Sequence, residues 1–147
     1  MQEFAGDGGS CDFLVVYVME AHAADEWPLG VKRSRWPQAK TIRDREEAAT
    51  AYRMKLGAQL QQQHPEVPPP PFALDTMANS FYSQFGAWPE VHLVIDGEGR
   101  LALRTETEHG TGLLADGPWE DQVRATLRRI LLPASQVQSD RPQKTKH

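Results

Sequence analysis

The strongest constraint on the fold of this chain is an unbroken apolar run, residues 13–18, that ends abruptly in charged and aromatic side chains. A valine-rich run of this length predicts a strand covered on both faces, as in a parallel sheet flanked by helices. Glu20 and His22 follow it, and residues two apart on an extended chain point the same way. Because ligand sites of open α/β sheets lie beyond the carboxyl ends of strands, we expect a site here in which these two side chains share a proton.

The rest of the chain predicts further helices and strands separated by turn signals. Thr41 and Asp44 approximate a capping box, Gly86 is suited to end a helix, and residues 96–99 are suited to a hairpin turn. In chain order the predicted elements are a strand at residues 13–18, a helix at 41–63, a strand at 72–74, a short helix at 75–85, antiparallel strands at 90–96 and 100–105, and a helix from Pro118. This order predicts a mixed α/β domain.

Composition limits the class of protein and its partners. A chain of 147 residues, 39% hydrophobic and 24% charged, suits one globular domain. A formal charge of −4 without a dense basic block argues against nucleic acid as a partner. Cys11 is the single cysteine, which excludes an intramolecular disulfide and fits a reducing compartment.

The expected organisation is one folded domain with a short remnant before it and a tail after it. We expect residues 1–11 to be an N-terminal remnant, residues 12–132 to form the domain, and the polar residues 133–147 to be disordered. No stretch approaches the ~20 apolar residues of a membrane helix, and the acidic start is unlike a signal peptide. The sequence as written therefore predicts a soluble chain and leaves its compartment open.

Three short segments together resemble the iodothyronine deiodinases, selenoenzymes with a thioredoxin-like fold. They are residues 13–27, with Glu20-Ala21-His22 and Asp25-Glu26-Trp27; Asp44-Arg45 at the start of a helix; and residues 74–80, with Asp75-Thr76-Met77-Ala78-Asn79, followed by Gly86-Ala87. The wording of the third segment is closest to the type III, inner-ring branch. The resemblance implies a thioredoxin-like or peroxiredoxin-like mixed sheet flanked by helices, whose first strand and active-site helix are missing here.

The resemblance also implies a segment that this sequence lacks. A deiodinase carries its nucleophilic selenocysteine in a loop before this strand, with a helix between them, whereas here Gly9-Ser10-Cys11 runs directly into Asp12. A crossover between parallel strands needs about a dozen residues or more. We therefore expect an incomplete translation of the gene, spliced around a UGA codon. The N-terminal membrane anchor of the family would be missing for a similar reason.

Within the resemblance, three residues take catalytic roles. Glu20 and His22 match the glutamate and histidine that pass a proton while a selenolate attacks iodine. Cys11 matches the cysteine two residues before selenocysteine and would be a resolving thiol. The resemblance further implies a cis peptide bond before Pro89, beside the redox residue.

The implied substrate site combines aromatic and polar side chains. The candidates are Trp27, Trp36, Asp75, Thr76 and Asn79. Each tryptophan either stacks on an aromatic ring or covers the core. The three polar residues match the family motif, and capping of the following helix is their favoured role. The second histidine that the family carries ahead of Asp44 has no counterpart here.

Three functions are left open by the sequence. The first is thyroid-hormone deiodination of a small iodinated aromatic substrate, with a thiol reductant as co-substrate, no bound cofactor, and no turnover by the chain as translated. The second is a peroxiredoxin or thiol-oxidoreductase relative, and the third is a non-catalytic remnant that binds an aromatic ligand. A homodimer is compatible with each. No metal site is expected, because His64, His92 and His109 lack metal-ligand spacing.

Overall fold

The computed structural model describes residues 11–30, 35–105 and 118–131. They fall into two compact units, one formed by Asp12–Pro89 and the other containing Cys11 and the described residues from Glu90 onward. The remnant before Cys11, the loop predicted between the hairpin and the last helix, and the tail after residue 132 lie outside the described residues. The predicted domain bounds at residues 12 and 132 stay predictions.

The first unit is built on a short parallel strand pair. Strands β1 (Val15–Tyr17) and β2 (Phe72–Leu74) pair in parallel, and the Asp75 N–H continues the ladder by donating to the Tyr17 carbonyl at 2.8 Å. The expectation that residues 13–18 are covered on both faces is wrong, because Phe13 is 44% exposed and Leu14 is 61% exposed. The physical reason is that β1 has a single neighbouring strand, so little packs over its beginning.

Helix α1 (Ile42–Gln63) confirms the prediction for residues 41–63. Thr41 is its N-cap: the Asp44 N–H donates to Thr41 Oγ1 at 3.2 Å, and the Thr41 N–H donates to Asp44 Oδ2 at 2.8 Å. This capping box satisfies two backbone donors that the first turn would otherwise leave unpaired. The buried face of α1 carries Arg45, Ala48, Ala49, Leu56 and Leu60.

Helix α2 (Ser80–Phe85) is shorter than the helix predicted for residues 75–85. It begins late because its N-cap, Asn79, takes the left-handed conformation with φ 54° and ψ 44°, which a helical residue cannot have. The predicted end at Gly86 is confirmed, since Gly86 is the C-cap in the left-handed conformation. The Gly86 N–H there donates to the Tyr82 carbonyl.

The second unit is a hairpin packed against one helix. Strands β3 (Leu93–Ile95) and β4 (Leu101–Arg104) pair antiparallel, and helix α3 (Pro118–Leu131) contacts both of them. The predicted hairpin and final helix are therefore confirmed, as is the mixed α/β class. The expected single mixed sheet is not seen in the described ranges, where the strands form two separate pairs. None of the described helices combines the length and apolarity needed to cross a membrane.

A carboxyl-bearing cleft beyond the first strand

A cleft of about 270 Å³ opens in the first unit beyond the carboxyl end of β1. Glu20, Glu26, Trp27, Tyr82 and Trp88 line it, together with small and apolar side chains. The segment after β1 supplies most of this lining, and α2 supplies Tyr82. The position agrees with the general rule that sites in α/β proteins lie beyond the carboxyl ends of parallel strands.

Glu20 is the titratable group most altered by this setting. The Tyr17 hydroxyl, at the end of β1, donates a hydrogen bond to the Glu20 carboxylate. Burial raises the pKa of Glu20 above the ordinary value of a glutamate, because the charged form loses contact with water. This carboxyl group therefore keeps its proton to a higher pH than an exposed glutamate does.

His22 is not placed as the extended-chain prediction requires. The chain leaves β1 at Tyr17 and turns at residues 21–22, so the alternation of a strand does not extend to Glu20 and His22. In the described part of the chain no hydrogen bond joins the two side chains. The His22 ring instead meets Trp27 edge-on, with centroids 6.4 Å apart, and its buried Nδ1 has no hydrogen-bond partner in the described residues.

Tryptophans form an aromatic wall on one side of the cleft. Trp27, which is 65% exposed, stacks on Trp88 with ring centroids 6.3 Å apart and planes 20° apart. Trp36 is also exposed, but it lines a separate shallow cleft along α1 beside Arg43 and Glu47. The structure thus brings one of the two predicted tryptophans to Glu20 and adds Trp88, which the sequence reading missed.

Asp75 is enclosed and saturated with backbone donors. It is 3% exposed, and its carboxylate accepts the N–H groups of Thr76 at 2.7 Å, Phe81 at 2.9 Å and Tyr82 at 2.9 Å. Burial acts to raise the pKa of Asp75, but these hydrogen bonds and the nearby Arg45 charge outweigh it and lower the pKa. Asp75 is therefore an ionised anchor for the first turn of α2.

A buried arginine completes this anchor. Arg45 Nη1 donates to the carbonyl oxygens of Asp75 at 3.1 Å and Thr76 at 2.6 Å, and Nη2 donates to Asn79 Oδ1 at 2.8 Å. The Thr76 hydroxyl lies 2.8 Å from that of Ser80. The three polar motif residues thus make intramolecular contacts that fix the junction of β2 and α2, which carries Tyr82 into the cleft.

The remaining candidates are placed as follows. Cys11 is half-buried and belongs to the second unit. The peptide bond between Trp88 and Pro89 is cis. The described residues contain no group of three or more side chains able to hold a metal ion.

Two residues at the cleft escaped the sequence reading. Tyr17 ends the apolar run, and its spacing of three from Glu20 was a usable signal, since a turn after the strand brings such residues together. Gln38 contacts the backbone of Glu20 from 18 positions away in the chain. Nothing in the local pattern around Gln38 marks it.

The fold and cleft together define an α/β protein with a proton-holding carboxyl group beside an aromatic wall. The family model described as iodothyronine deiodinase matches residues 2–129. The chain is 38% identical over 118 residues to the thyroxine 5-deiodinase of Bos taurus, covering 80% of this chain and 33% of that protein. It is 33% identical over 108 residues to the type I iodothyronine deiodinase of Xenopus laevis, covering 74% and 34%.

These similarities show the family. The chain belongs to the iodothyronine deiodinase family, which confirms the resemblance drawn from residues 13–27 and 74–80. A further relative, the thyroxine 5-deiodinase of Sus scrofa, is 39% identical over 84 residues, or 57% of this chain and 24% of that protein. The chain therefore spans between about a quarter and a third of the length of these relatives.

Proposed function

We propose that this chain is the proton-delivering part of a deiodinase-type oxidoreductase, built on a thioredoxin-like domain and acting on a small iodinated aromatic substrate. The observation that carries the proposal is the cleft itself. Glu20, whose pKa is raised by burial, lies in the same cleft as the stacked rings of Trp27 and Trp88. A proton donor beside an aromatic wall is suited to protonating the carbon of an aromatic ring.

Reductive deiodination needs such a donor. The carbon–iodine bond breaks, the ring carbon keeps the electron pair and takes a proton, and iodine leaves as iodide. Two thiols supply the electrons and become one disulfide, so one aryl iodide and two thiols give one aryl hydride, one hydrogen iodide and one disulfide. Glu20 holds the proton in the cleft, and the unpartnered Nδ1 of His22 is a second group able to exchange one.

The nucleophile of the reaction belongs to the segment that we place between Cys11 and Asp12. The large exposed fractions of Phe13 and Leu14 support this placement, because the restored segment would bring apolar cover to the start of β1. Without it the chain as translated lacks a selenolate, and Cys11 has no active-site helix to lower its thiol pKa. We therefore expect no deiodinase turnover from this exact sequence.

The decisive experiment restores the segment from the genomic DNA across the codons of Cys11 and Asp12. The restored enzyme should release iodide from an iodothyronine only when thiol is supplied, and His22→Ala or Glu20→Gln should each lower kcat by about 10²-fold or more. Glu46→Gln, on the separate cleft of α1, is the matched control and should leave kcat unchanged. An uninterrupted transcript across this junction, or a restored enzyme without thiol-dependent release, would contradict the proposal.

Aromatic-ligand binding without turnover is a second candidate for the chain as translated. The exposed Trp27 favours it, because a large aromatic side chain at a cleft is suited to stacking. Tryptophan fluorescence should be quenched by an iodinated phenol, and Trp27→Phe should remove most of that quenching. Trp36→Phe is the control, since Trp36 lines the other cleft. Equal loss of quenching in both variants would contradict binding at this cleft.

A further inference from the structure

The segment that carries Glu20 lies outside the β ladder. β1 ends at Tyr17, and the backbone N–H and C=O of Glu20 therefore have no partner strand. Both groups are nevertheless satisfied by one side chain. We propose that Gln38 is the positioning residue of the cleft, which holds the Glu20 peptide so that its carboxyl group stays beneath Tyr17; the proposal rests on the proposed function of Glu20.

The geometry is that of a strand residue replaced by a side-chain amide. The Glu20 N–H donates to Gln38 Oε1 at 3.1 Å, and Gln38 Nε2 donates to the Glu20 carbonyl at 3.1 Å. Gln38 Nε2 also donates to Glu26 Oε2 at 3.3 Å. One orientation of the amide satisfies all three contacts, because the N–H of Glu20 needs an acceptor while the other two groups need donors.

Gln38 is itself held against this loop. Its backbone N–H donates to Asp25 Oδ1 at 2.8 Å, and the Ala24 N–H donates to the Trp36 carbonyl at 2.8 Å. Residues 36–38 therefore run alongside residues 20–26 and brace them. This bracing also gives a role to Asp25, a member of the family motif whose side chain does not line the cleft.

The charges around Gln38 explain why an amide suits the position. Carboxylates of Asp25 and Glu26 contact it, and Glu20 approaches through its backbone. An amide offers these groups donors without adding another negative charge, which a glutamate there would bring. Loss of the amide leaves the Glu20 N–H and C=O unpaired, and the loop then opens so that water can reach them.

The test is read on the chain as translated. Gln38→Met keeps the length of the side chain and removes both hydrogen bonds to Glu20. Exchange of the Glu20 amide proton, followed by NMR, should become about tenfold faster. The ¹³C titration of the Glu20 carboxyl group should also shift to lower pH, toward an ordinary glutamate, because the opened loop no longer excludes water.

The matched control is Gln61→Met. Gln61 lies on α1 and likewise donates its side-chain amide to a backbone oxygen, that of Pro65 at 3.2 Å, but at the surface. It should change neither the Glu20 exchange rate nor the Glu20 titration. Equal values in wild type and Gln38→Met would overturn the proposal.

A second variant guards against loss of folding. Gln38→Asn keeps the amide but is one methylene too short to reach both groups of Glu20, and it should shift exchange and titration in the same directions. A folded Gln38→Asn protein with wild-type values would likewise overturn the proposal. Because these readings need no turnover, they decide the role of Gln38 separately from the iodide assay, which decides the role of Glu20.

Discussion

Two carboxyl groups follow the two paired parallel strands of the first unit, and their surroundings drive them in opposite directions. Asp75 comes directly after β2, and Glu20 comes three residues after the end of β1. Asp75 accepts three backbone N–H groups, and the balance lowers its pKa. Glu20 accepts the Tyr17 hydroxyl, and burial raises its pKa. The number of donors aimed at each buried carboxylate decides which one keeps a proton.

This difference separates an anchor from a reactive group. A carboxylate saturated with donors is ionised at neutral pH and holds chain segments together, as Asp75 holds β2 to α2. A buried carboxyl group with few donors is poised to give up or take a proton. Both carry the same chemistry near the same edge of one strand pair, so residue type alone does not assign the roles.

The largest expected effect tests the anchor. Asp75→Ala should lower the free energy of unfolding by about 3 kcal/mol, because it leaves buried N–H groups without an acceptor and the Arg45 charge without its partner. Urea denaturation measures the loss. Asp121→Ala, an exposed acid on α3, is the control and should change stability by less than about 0.5 kcal/mol. A similar small change in Asp75→Ala would remove the anchor from the comparison.

A smaller effect is expected where backbone donors are capped at the surface. Thr41→Ala breaks the capping box of α1 and should cost about 1 kcal/mol of unfolding free energy. Thr50→Ala makes the same substitution on the exposed surface within α1 and should be neutral or slightly stabilising, because alanine is the better helix former. If the two variants unfold at the same urea concentration, capping does not stabilise α1 in this protein.

The two carboxyl groups should also affect the pH dependence of stability with opposite signs. The lowered pKa of Asp75 gives stability that is present above its unfolded pKa and is lost as the pH falls through the folded value. The raised pKa of Glu20 gives stability that is present below its unfolded pKa and is lost as the pH rises through the folded value.

Glu20→Gln isolates the second of these contributions. It should reduce the loss of stability as the pH rises above about 4.3, by no more than about 1 kcal/mol after solvent screening. Glu90, whose pKa burial also raises, contributes in the same direction and is unchanged in this variant. Urea denaturation between pH 4 and 8 makes the comparison. An unchanged slope in Glu20→Gln would show that Glu20 is not buried as described.

The smallest effect concerns the single donor on Glu20. Tyr17→Phe removes a hydroxyl that stabilises the ionised carboxylate, so the pKa of Glu20 should rise further, with stability changed by about 1 kcal/mol or less. Tyr82→Phe is the control, since Tyr82 lines the same cleft without a hydrogen bond to Glu20 among the described contacts. A fall in the Glu20 pKa in Tyr17→Phe would contradict the assigned hydrogen bond.

The parts of this protein that local chemistry encodes could be predicted from the sequence. The capping box at Thr41 and the stop at Gly86 are satisfied within a few residues, so the pattern alone places the ends of α1 and α2. The late start of α2 was missed, because it depends on Arg45 drawing the Asn79 side chain across from α1. Such a contact joins residues 34 apart and leaves no periodic signal.

The candidate site was predictable to a similar degree. The end of an apolar strand marked Glu20 and His22, and the family motif marked Asp75, but only the turn at residues 21–22 shows that the first two do not face one another along a strand. The opposite pKa shifts of Glu20 and Asp75 depend on burial and on donors from α2. These are tertiary properties, and the composition of the segments does not contain them.

The most direct test of the central claim is a ¹³C NMR titration that follows the carboxyl carbons of Glu20 and Asp75 in one sample of the wild-type chain. We predict a midpoint above the ordinary glutamate value for Glu20 and below the ordinary aspartate value for Asp75. A Glu20 midpoint at or below that of an exposed glutamate would contradict the assignment of Glu20 as the group that holds the proton in the cleft.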